Sequence, residues 1–259
     1  MSIPVRGQLS KRTDTLIGLA GIASLVAIWS FLTYGGYLSP RFLPSPTGIW
    51  KGALQFYRQH WLLLSVWRSF LRVSKALVLV VLVGTPVGLL MGAFTPIDAF
   101  LRKVLNGAKS VPPTGIVGLI VLWFGIEERA KVVFLFLGAI FFMIIMVRNA
   151  VTAVPEDFVR VALDLGANRK QMLWKVLLPG SVPRIWEAIT VCNGIMWTYI
   201  VLAEFLNSNQ EQLGLGYLLQ IGTRTFQPGE VFATLVLIAV ISAFTDFVFH
   251  AFQKRFLDW

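Results

Sequence analysis

The chain has 259 residues, 56% hydrophobic and 14% charged, where soluble domains average about 45–50% and 25%. That balance excludes an ordinary soluble domain and indicates a chain built mainly of membrane spans. The net charge of +10, which in a soluble protein would suggest a nucleic-acid partner, reads here as membrane topology, and no nucleic acid is expected.

Six uncharged windows occur, at 15–40, 76–97, 110–126, 132–147, 188–203 and 231–245. A span takes about 20 predominantly apolar residues, so the first two qualify outright and the others draw on flanking residues. The reading is an all-α integral membrane protein with six helices, near 15–34, 68–92, 104–124, 131–151, 186–206 and 229–252. Residues 1–14 form a tail and 15–259 one membrane domain. Arg6, Lys11 and Arg12 could also start a signal peptide, but its apolar core should be only about 7–15 residues, so a retained first span is expected. With both termini cytoplasmic, a modest majority of the Lys and Arg fall inside, Arg102, Lys103, Lys109, Arg148 and Arg160 among them, a positive-inside bias.

On the second span, Arg68, Arg72 and Lys75 stand at i, i+4, i+7. They read as one face snorkelling to the outer headgroups, with attraction of an anionic solute as the alternative. Gly84, Gly88 and Gly92 form a double G-x-x-x-G, the pattern that lets two helix backbones approach closely. Pro86 and the pair Pro112-Pro113 interrupt helix hydrogen bonding at membrane depth. Such breaks survive where protein or a water-filled cavity covers the freed carbonyls, so residues 110–118 are either a simple kink or part of a translocation path.

The most informative stretch is 155–185, PEDFVRVALDLGANRKQMLWKVLLPGSVPRI, the longest polar interval between spans. Pro155 suits a first helical position, followed by Glu156 and Asp157 where the helix dipole favours acids. Phe158, Val161, Ala162 and Leu165 make one apolar stripe at i, i+3, i+4, i+7. Gly166 is placed to end that helix. Asn168 can cap a second, RKQMLWKVLL, expected to stop before Pro179. Arg160 lies about 160–200° from the stripe, four residues from both Glu156 and Asp164, so an acid–base–acid ladder is available. An amphipathic helix held between spans needs a partner to cover its apolar face, and a protein at the membrane surface is expected.

In the fifth span Glu204 ends an uncharged run near the outer surface. A structural or gating hydrogen bond, to the GLGYL turn at 214–218, is preferred over direct solute contact. Asp246 in the last span lies nearer the cytoplasm, with interfacial pairing as its default. Cys192 is the single cysteine, which excludes an internal disulfide, and two histidines offer no metal cluster. Gly107-Ala108-Lys109-Ser110 lacks the spacing of a phosphate-binding loop, so this chain is not expected to be an enzyme, and any ATP and Mg belong to another polypeptide.

Residues 155–185 resemble the "EAA" loop of ABC-importer permeases: Ala162, Gly166, Ala167, Val176, Leu178, Pro179 and Pro183 match in register, while Arg160 stands where the pattern has glutamate and Val161 where it has its first alanine. LPSPTGIW (43–50), LWFGI (122–126), and Ala203-Glu204 followed by GLGYL extend the likeness over nearly the whole chain, to the branch that imports nitrate, taurine, alkanesulfonates or bicarbonate. The resemblance implies a type I importer permease, acting as a homodimer with two cytoplasmic ATPase subunits and a periplasmic or lipid-anchored solute-binding protein, in the bacterial plasma membrane. It implies an ATPase-coupling surface at Arg160, Ala162, Asp164, Leu165, Gly166, Ala167, Leu178 and Pro179. Pro112, Pro113, Asn193, Trp197 and Glu204 are the pathway or gate candidates. A small anion is the expected solute; a neutral or cationic heterocycle, such as a vitamin precursor, is the alternative. An ion-coupled secondary transporter is the distant one, since no repeat symmetry is visible.

Overall fold

The computed structural model describes residues 10–59, 61–206 and 213–257. Among them every regular element is helical: α1 (Lys11–Tyr34), α2 (Pro46–Arg58), α3 (Trp61–Ala93), α4 (Thr95–Ala108), α5 (Val117–Phe124, preceded by a 3₁₀ turn Pro113–Ile116), α6 (Glu128–Thr152), α7 (Glu156–Asp164), α8 (Arg169–Gln171), a π-helical turn (Met172–Leu177), α9 (Leu178–Phe205), α10 (Leu215–Arg224) and α11 (Pro228–Phe256). Five helices are long and apolar enough to cross a membrane, and α4 with α5 passes the same test as one span broken by 83°. The helical part of the expected 1–14 tail begins at Lys11, capped by Ser10, and residues 1–9 of that tail lie outside the described residues.

The centre of the bundle is α3 against α6. The glycine series on α3 lets them meet: a Cβ on Gly88 would lie 2.7 Å from both the Ile144 carbonyl oxygen and the Val147 Cβ, and one on Gly84 2.8 Å from Met143 Cγ. Gly84 faces Met143, Gly88 faces Val147 and Gly92 faces Val151, so residue numbers rise together and the helices run parallel. Parallel neighbours need a crossing between them, and residues 95–127 supply it. This corrects the expectation of one helix over 104–124. The chain turns straight from α3 into α4 at Thr95, and α5 starts a new direction after Pro112 and Pro113, which have no N–H to continue the α4 ladder. At the end where α3 and α6 finish, Asp98 of α4 accepts from Arg148 Nε and Nη2 of α6 (3.0 and 2.8 Å), with Arg102 Nη2 at 3.0 Å.

Two prolines fail to stop their helices. α3 passes through Pro86, and the helix expected to end before Pro179 continues into α9 through Pro179 and Pro183. The reason for the second lies just upstream. The turn Met172–Leu177 is widened to π geometry, so the Leu178 N–H bonds to Leu173 O, one residue further back than in an α-helix, and the wider turn relieves the clash a proline ring makes with the preceding turn. Arg184 Nη1 then donates to Ala153 O, the C-cap of α6 (3.1 Å), so the start of α9 is tied to the end of α6.

The opposite end carries two short helices that the sequence reading left as loops. LPSPTGIW enters α2, with Ser45 Oγ accepting from Gly48 N (3.2 Å) and Pro46 in the first turn. A Cβ on Gly229 would stand 2.7 Å from Gly48 O, so α2 and the start of α11 also touch through glycines. The GLGYL segment opens α10. Helix α1 is wholly uncovered along its apolar window and joins the rest through Trp29 Nε1, which donates to Pro44 O (3.0 Å), and Tyr34 Oη, which accepts from Thr47 N–H (3.2 Å).

Candidate coupling surface, charge cluster and kinked span

Helix α7 is positioned by backbone chemistry at both ends. Its N-cap is Pro155, one residue earlier than expected. At its C-terminus Gly166 takes φ +77°, Gly166 N–H donates to Leu163 O and Ala167 N–H to Ala162 O, both 2.9 Å. That pair of bonds is the Schellman arrangement, which favours glycine at the left-handed position. Asn168 and Gln171 then exchange reciprocal 2.9 Å bonds, Gln171 N–H to Asn168 Oδ1 and Asn168 N–H to Gln171 Oε1, a capping box that starts the next helix.

Between these fixed ends the stripe stands open: Phe158 is 63%, Val161 57% and Leu165 83% exposed. It forms one wall of a groove of about 860 Å³, whose other wall is Val176, Pro179 and Pro183. Exposed apolar side chains of this size beside a membrane span mark an interaction surface. On the far side Arg160 pairs with Glu156 at 3.0 Å. Of the expected ladder only that pair is among the ion pairs of the described residues, because helix side chains lean toward the N-terminus and the guanidinium reaches back to Glu156, away from Asp164.

The second assembly is a charge cluster buried toward the other end. Arg72 is 2% exposed, and Glu204 and Lys131 are fully buried. Arg72 Nη1 donates to Glu204 Oε1 (2.7 Å) and to Leu213 O (3.1 Å). Its Nε donates to Glu128 Oε2 (2.7 Å), and its Nη2 also meets Glu128. Lys131 Nζ lies 3.6 Å from Glu128 Oε1. Glu204 accepts from Ser69 Oγ (2.6 Å) and Gly216 N–H (2.6 Å), and Ser69 Oγ accepts from Leu215 N–H (2.9 Å). The cluster therefore fastens α3, α6, α9 and the start of α10 together.

This corrects the reading of Arg68, Arg72 and Lys75 as a headgroup-facing stripe. Lys75 is exposed and Arg68 half-buried, but Arg72 faces inward, because a charge within a span is stabilised by a carboxylate partner inside the protein. The hydrogen bond that Glu204 accepts from the GLGYL backbone is present, accompanied by an ion pair with Arg72 that the sequence did not reveal. A signal that Arg72 faces inward was available: Ser65, Ser69 and Arg72 follow helical spacing in an apolar span, and all three are buried.

The kinked span holds a third feature, a cavity of about 160 Å³ lined by Lys109, Pro112, Pro113, Thr114, Gly138 and Tyr199, among others. Gly138 lies near the middle of the uncharged run 132–147 of α6. Lys109 thus borders the same cavity as residues near the middle of α6. It is the C-cap residue of α4, where a cation gains about 0.3–1 kcal/mol from the helix dipole, while a lysine at the centre of a lipid-facing span costs roughly 2.5–3.5 kcal/mol. The cap alone does not account for it.

The other pathway candidates sit differently. Pro112 and Pro113 form the break itself. Asn193 is buried, with Nδ2 donating to Thr245 Oγ1 (2.9 Å) and Asp246 Oδ1 (3.1 Å) on α11, so Asp246 is held by a neighbouring helix. Trp197 is 1% exposed within the core, its indole N–H without a partner among the described residues.

Broken-span architecture, an amphipathic helix presented at one end and the motifs that build it define an ABC-importer permease, and the comparisons agree. Residues 84–258 match the family described as binding-protein-dependent transport system inner membrane component, and the chain belongs to it. It is 32% identical to the taurine transport system permease protein TauC of Escherichia coli, over 98% of this chain and 92% of that one. It is 28% identical to the putative aliphatic sulfonates transport permease protein SsuC of Bacillus subtilis (96% and 89%), and 23% identical to the bicarbonate transport system permease protein CmpB of Synechococcus elongatus (96% and 89%). A solved inward-facing structure of the MetNI methionine ABC transporter aligns with TM-score 0.67 and 22% identity, over 75% of this chain and 95% of that one, and establishes the shared fold. The protein is a multi-pass membrane permease subunit of an ABC importer, a class that works with an ATPase and a solute-binding protein.

Proposed function

We propose that two copies of this chain enclose the translocation pathway of an ATP-driven importer for a small anion of the sulfonate or bicarbonate type. The observation that carries the solute class is the set of relatives named for taurine, aliphatic sulfonates and bicarbonate. The groove at α7 takes two cytoplasmic ATPase subunits, one per copy, and these hold the ATP and Mg. Both termini lie on the same, cytoplasmic side of the bacterial plasma membrane, and a periplasmic or lipid-anchored binding protein delivers the solute to the α2–α10 end.

The geometry supports a transmission route. From Arg169 to Phe205 the helix is continuous, about 55 Å long at 1.5 Å per residue. It carries the Pro179 wall of the groove at one end and Glu204 at the other. An ATPase that closes on Phe158, Val161 and Leu165 moves the start of α9 through the groove and the Arg184–Ala153 tie. The rigid helix passes that movement to the cluster holding α10, and so alternates the openings at the two ends. Ala162, Gly166, Ala167 and Leu178 keep the α7 elbow in shape, and Arg160 and Asp164 face the ATPase. Pro112 and Pro113 shape the path, with Glu204 as its outer gate and Asn193 and Trp197 as the packing behind it.

The test is uptake by proteoliposomes holding the permease with its ATPase and binding protein. Saturable, ATP-dependent uptake of taurine, ethanesulfonate or bicarbonate is expected; uptake of a neutral or cationic heterocycle and of none of the anions overturns the solute class.

A further inference from the structure

Arg72, Lys131 and Lys109 are held differently, the first two buried and Lys109, the C-cap residue of α4, exposed. Arg72 and Lys131 have carboxylate partners, Glu128 and Glu204. Among the described residues Lys109 has none, and no carboxylate lines the cavity it borders. The cavity occurs where Pro112 and Pro113 leave the α4 ladder unfinished, and the hydroxyl-bearing residues Thr114 and Tyr199, from two different elements, line it beside the apolar Val111, Leu137, Phe141 and Phe142. Its volume of about 160 Å³ is several times the ~30 Å³ share of one water molecule in the liquid. An ammonium with no carboxylate partner among the described residues, beside two hydroxyl-bearing residues in a largely apolar recess next to Gly138, is complementary to a small group that brings its own negative charge and several acceptor oxygens.

We propose that the recess at the broken span is a solute subsite in which the Lys109 ammonium, with the Thr114 and Tyr199 hydroxyls, takes the sulfonate or carbonate group of the anion in transit. This rests on the anion reading above and adds to it a place within the membrane where the charge is met. The contact must be weak enough to release the solute, which a single mobile lysine permits better than a bidentate arginine. Solute selection would then be shared between the binding protein and this chain.

The experiment uses the assembled complex in proteoliposomes, with radiolabelled taurine and bicarbonate in separate arms to distinguish the two headgroups. Lys109→Gln is expected to cut uptake about tenfold or more, the size of a lost charged hydrogen bond, and Lys109→Arg to stay within about threefold of the parent. Lys109→Cys is expected to be inactive until a thiol reagent adds an ethylammonium group; a reagent adding an ethylsulfonate should leave it inactive, and the anion that is transported should slow both reactions. The parent's Cys192 is buried, so it does not compete for reagent. Uptake by Lys109→Gln within about twofold of the parent overturns the subsite while leaving the anion reading intact. Equal loss in the Gln and Arg variants, with no rescue by the ethylammonium reagent and no protection by the anion, also overturns it, in favour of a purely structural cap. A parent complex that carries a cationic heterocycle and neither anion overturns the anion reading, and the subsite with it.

Discussion

Replacing Glu204 with alanine removes the acceptor of three hydrogen bonds, from Ser69, Arg72 and Gly216. Breaking a buried ion pair by deleting one partner costs about 3–5 kcal/mol, because the survivor stays buried without its counter-charge. Here Arg72 keeps Glu128, so the lower part of that range applies to the pair, but the Gly216 N–H is orphaned as well, at about 1–3 kcal/mol. The total expected is about 4 kcal/mol. For a chain of this size each kcal/mol moves the melting temperature by about 2–4 °C, so Glu204→Ala should melt about 8–16 °C below the parent in detergent. Glu204→Gln keeps the shape and one acceptor oxygen but turns an NH₂ group toward one of the donors; it should fall about half as far and retain substantial transport where alanine loses most of it. The double variant Arg72→Met, Glu204→Leu removes both charges of the Arg72–Glu204 pair and leaves Glu128, which is half exposed, with water and its remaining partner Lys131. It should recover several degrees over Glu204→Ala, since replacing a whole buried pair with apolar groups is often nearly neutral. Melting by Glu204→Ala within about 2 °C of the parent, or a double variant no better than the single, would refute the account of this cluster as an ion-paired fastening.

Three further outcomes follow from other parts of the molecule. At Gly166 a side chain meets no neighbour but is forced to φ +77°, so Gly166→Ala should cost about 1 kcal/mol locally, and Gly166→Glu should stay membrane-inserted yet lose the ATPase; normal solute-stimulated ATP hydrolysis by that variant would exclude docking at this elbow. Arg160→Glu leaves the groove intact and puts an acid beside Glu156, a helix penalty of about 0.2–0.5 kcal/mol; if Arg160 meets an acidic ATPase residue, co-purification of the ATPase is lost and is regained with a basic substitution in the ATPase groove, whereas undiminished co-purification assigns Arg160 to the helix alone. Gly88→Leu drives a side chain into the Ile144 carbonyl and Val147 and should cost about 1–3 kcal/mol or more by overpacking, read as a lower melting temperature in detergent with membrane insertion retained; an unchanged melting temperature would contradict the close α3–α6 contact.

Much of this protein is determined locally and could be read along the chain. Composition and the uncharged windows give a membrane bundle, since an apolar run of sufficient length has few stable places outside lipid. Gly166, Asn168 and the stripe at Phe158, Val161 and Leu165 specify the α7 elbow, because left-handed backbone, side-chain caps and helical spacing are properties of a few adjacent residues. The series Gly84, Gly88 and Gly92 announced a close helix contact, though not its partner. Tertiary structure decided what depends on residues far apart in sequence. Arg72 looked like a headgroup anchor until Glu128 and Glu204, 56 and 132 positions away, were folded beside it, and no periodicity within one helix reveals a counter-charge on another. Pro179 carried the signal of a helix end, and the widened turn before it, together with packing against α6, overrode that signal. Pro112 and Pro113 marked a break, but its angle and its depth, which set Lys109 on a cavity it shares with the middle of α6, follow from α3 and α6 running parallel and the single interval between them having to cross back.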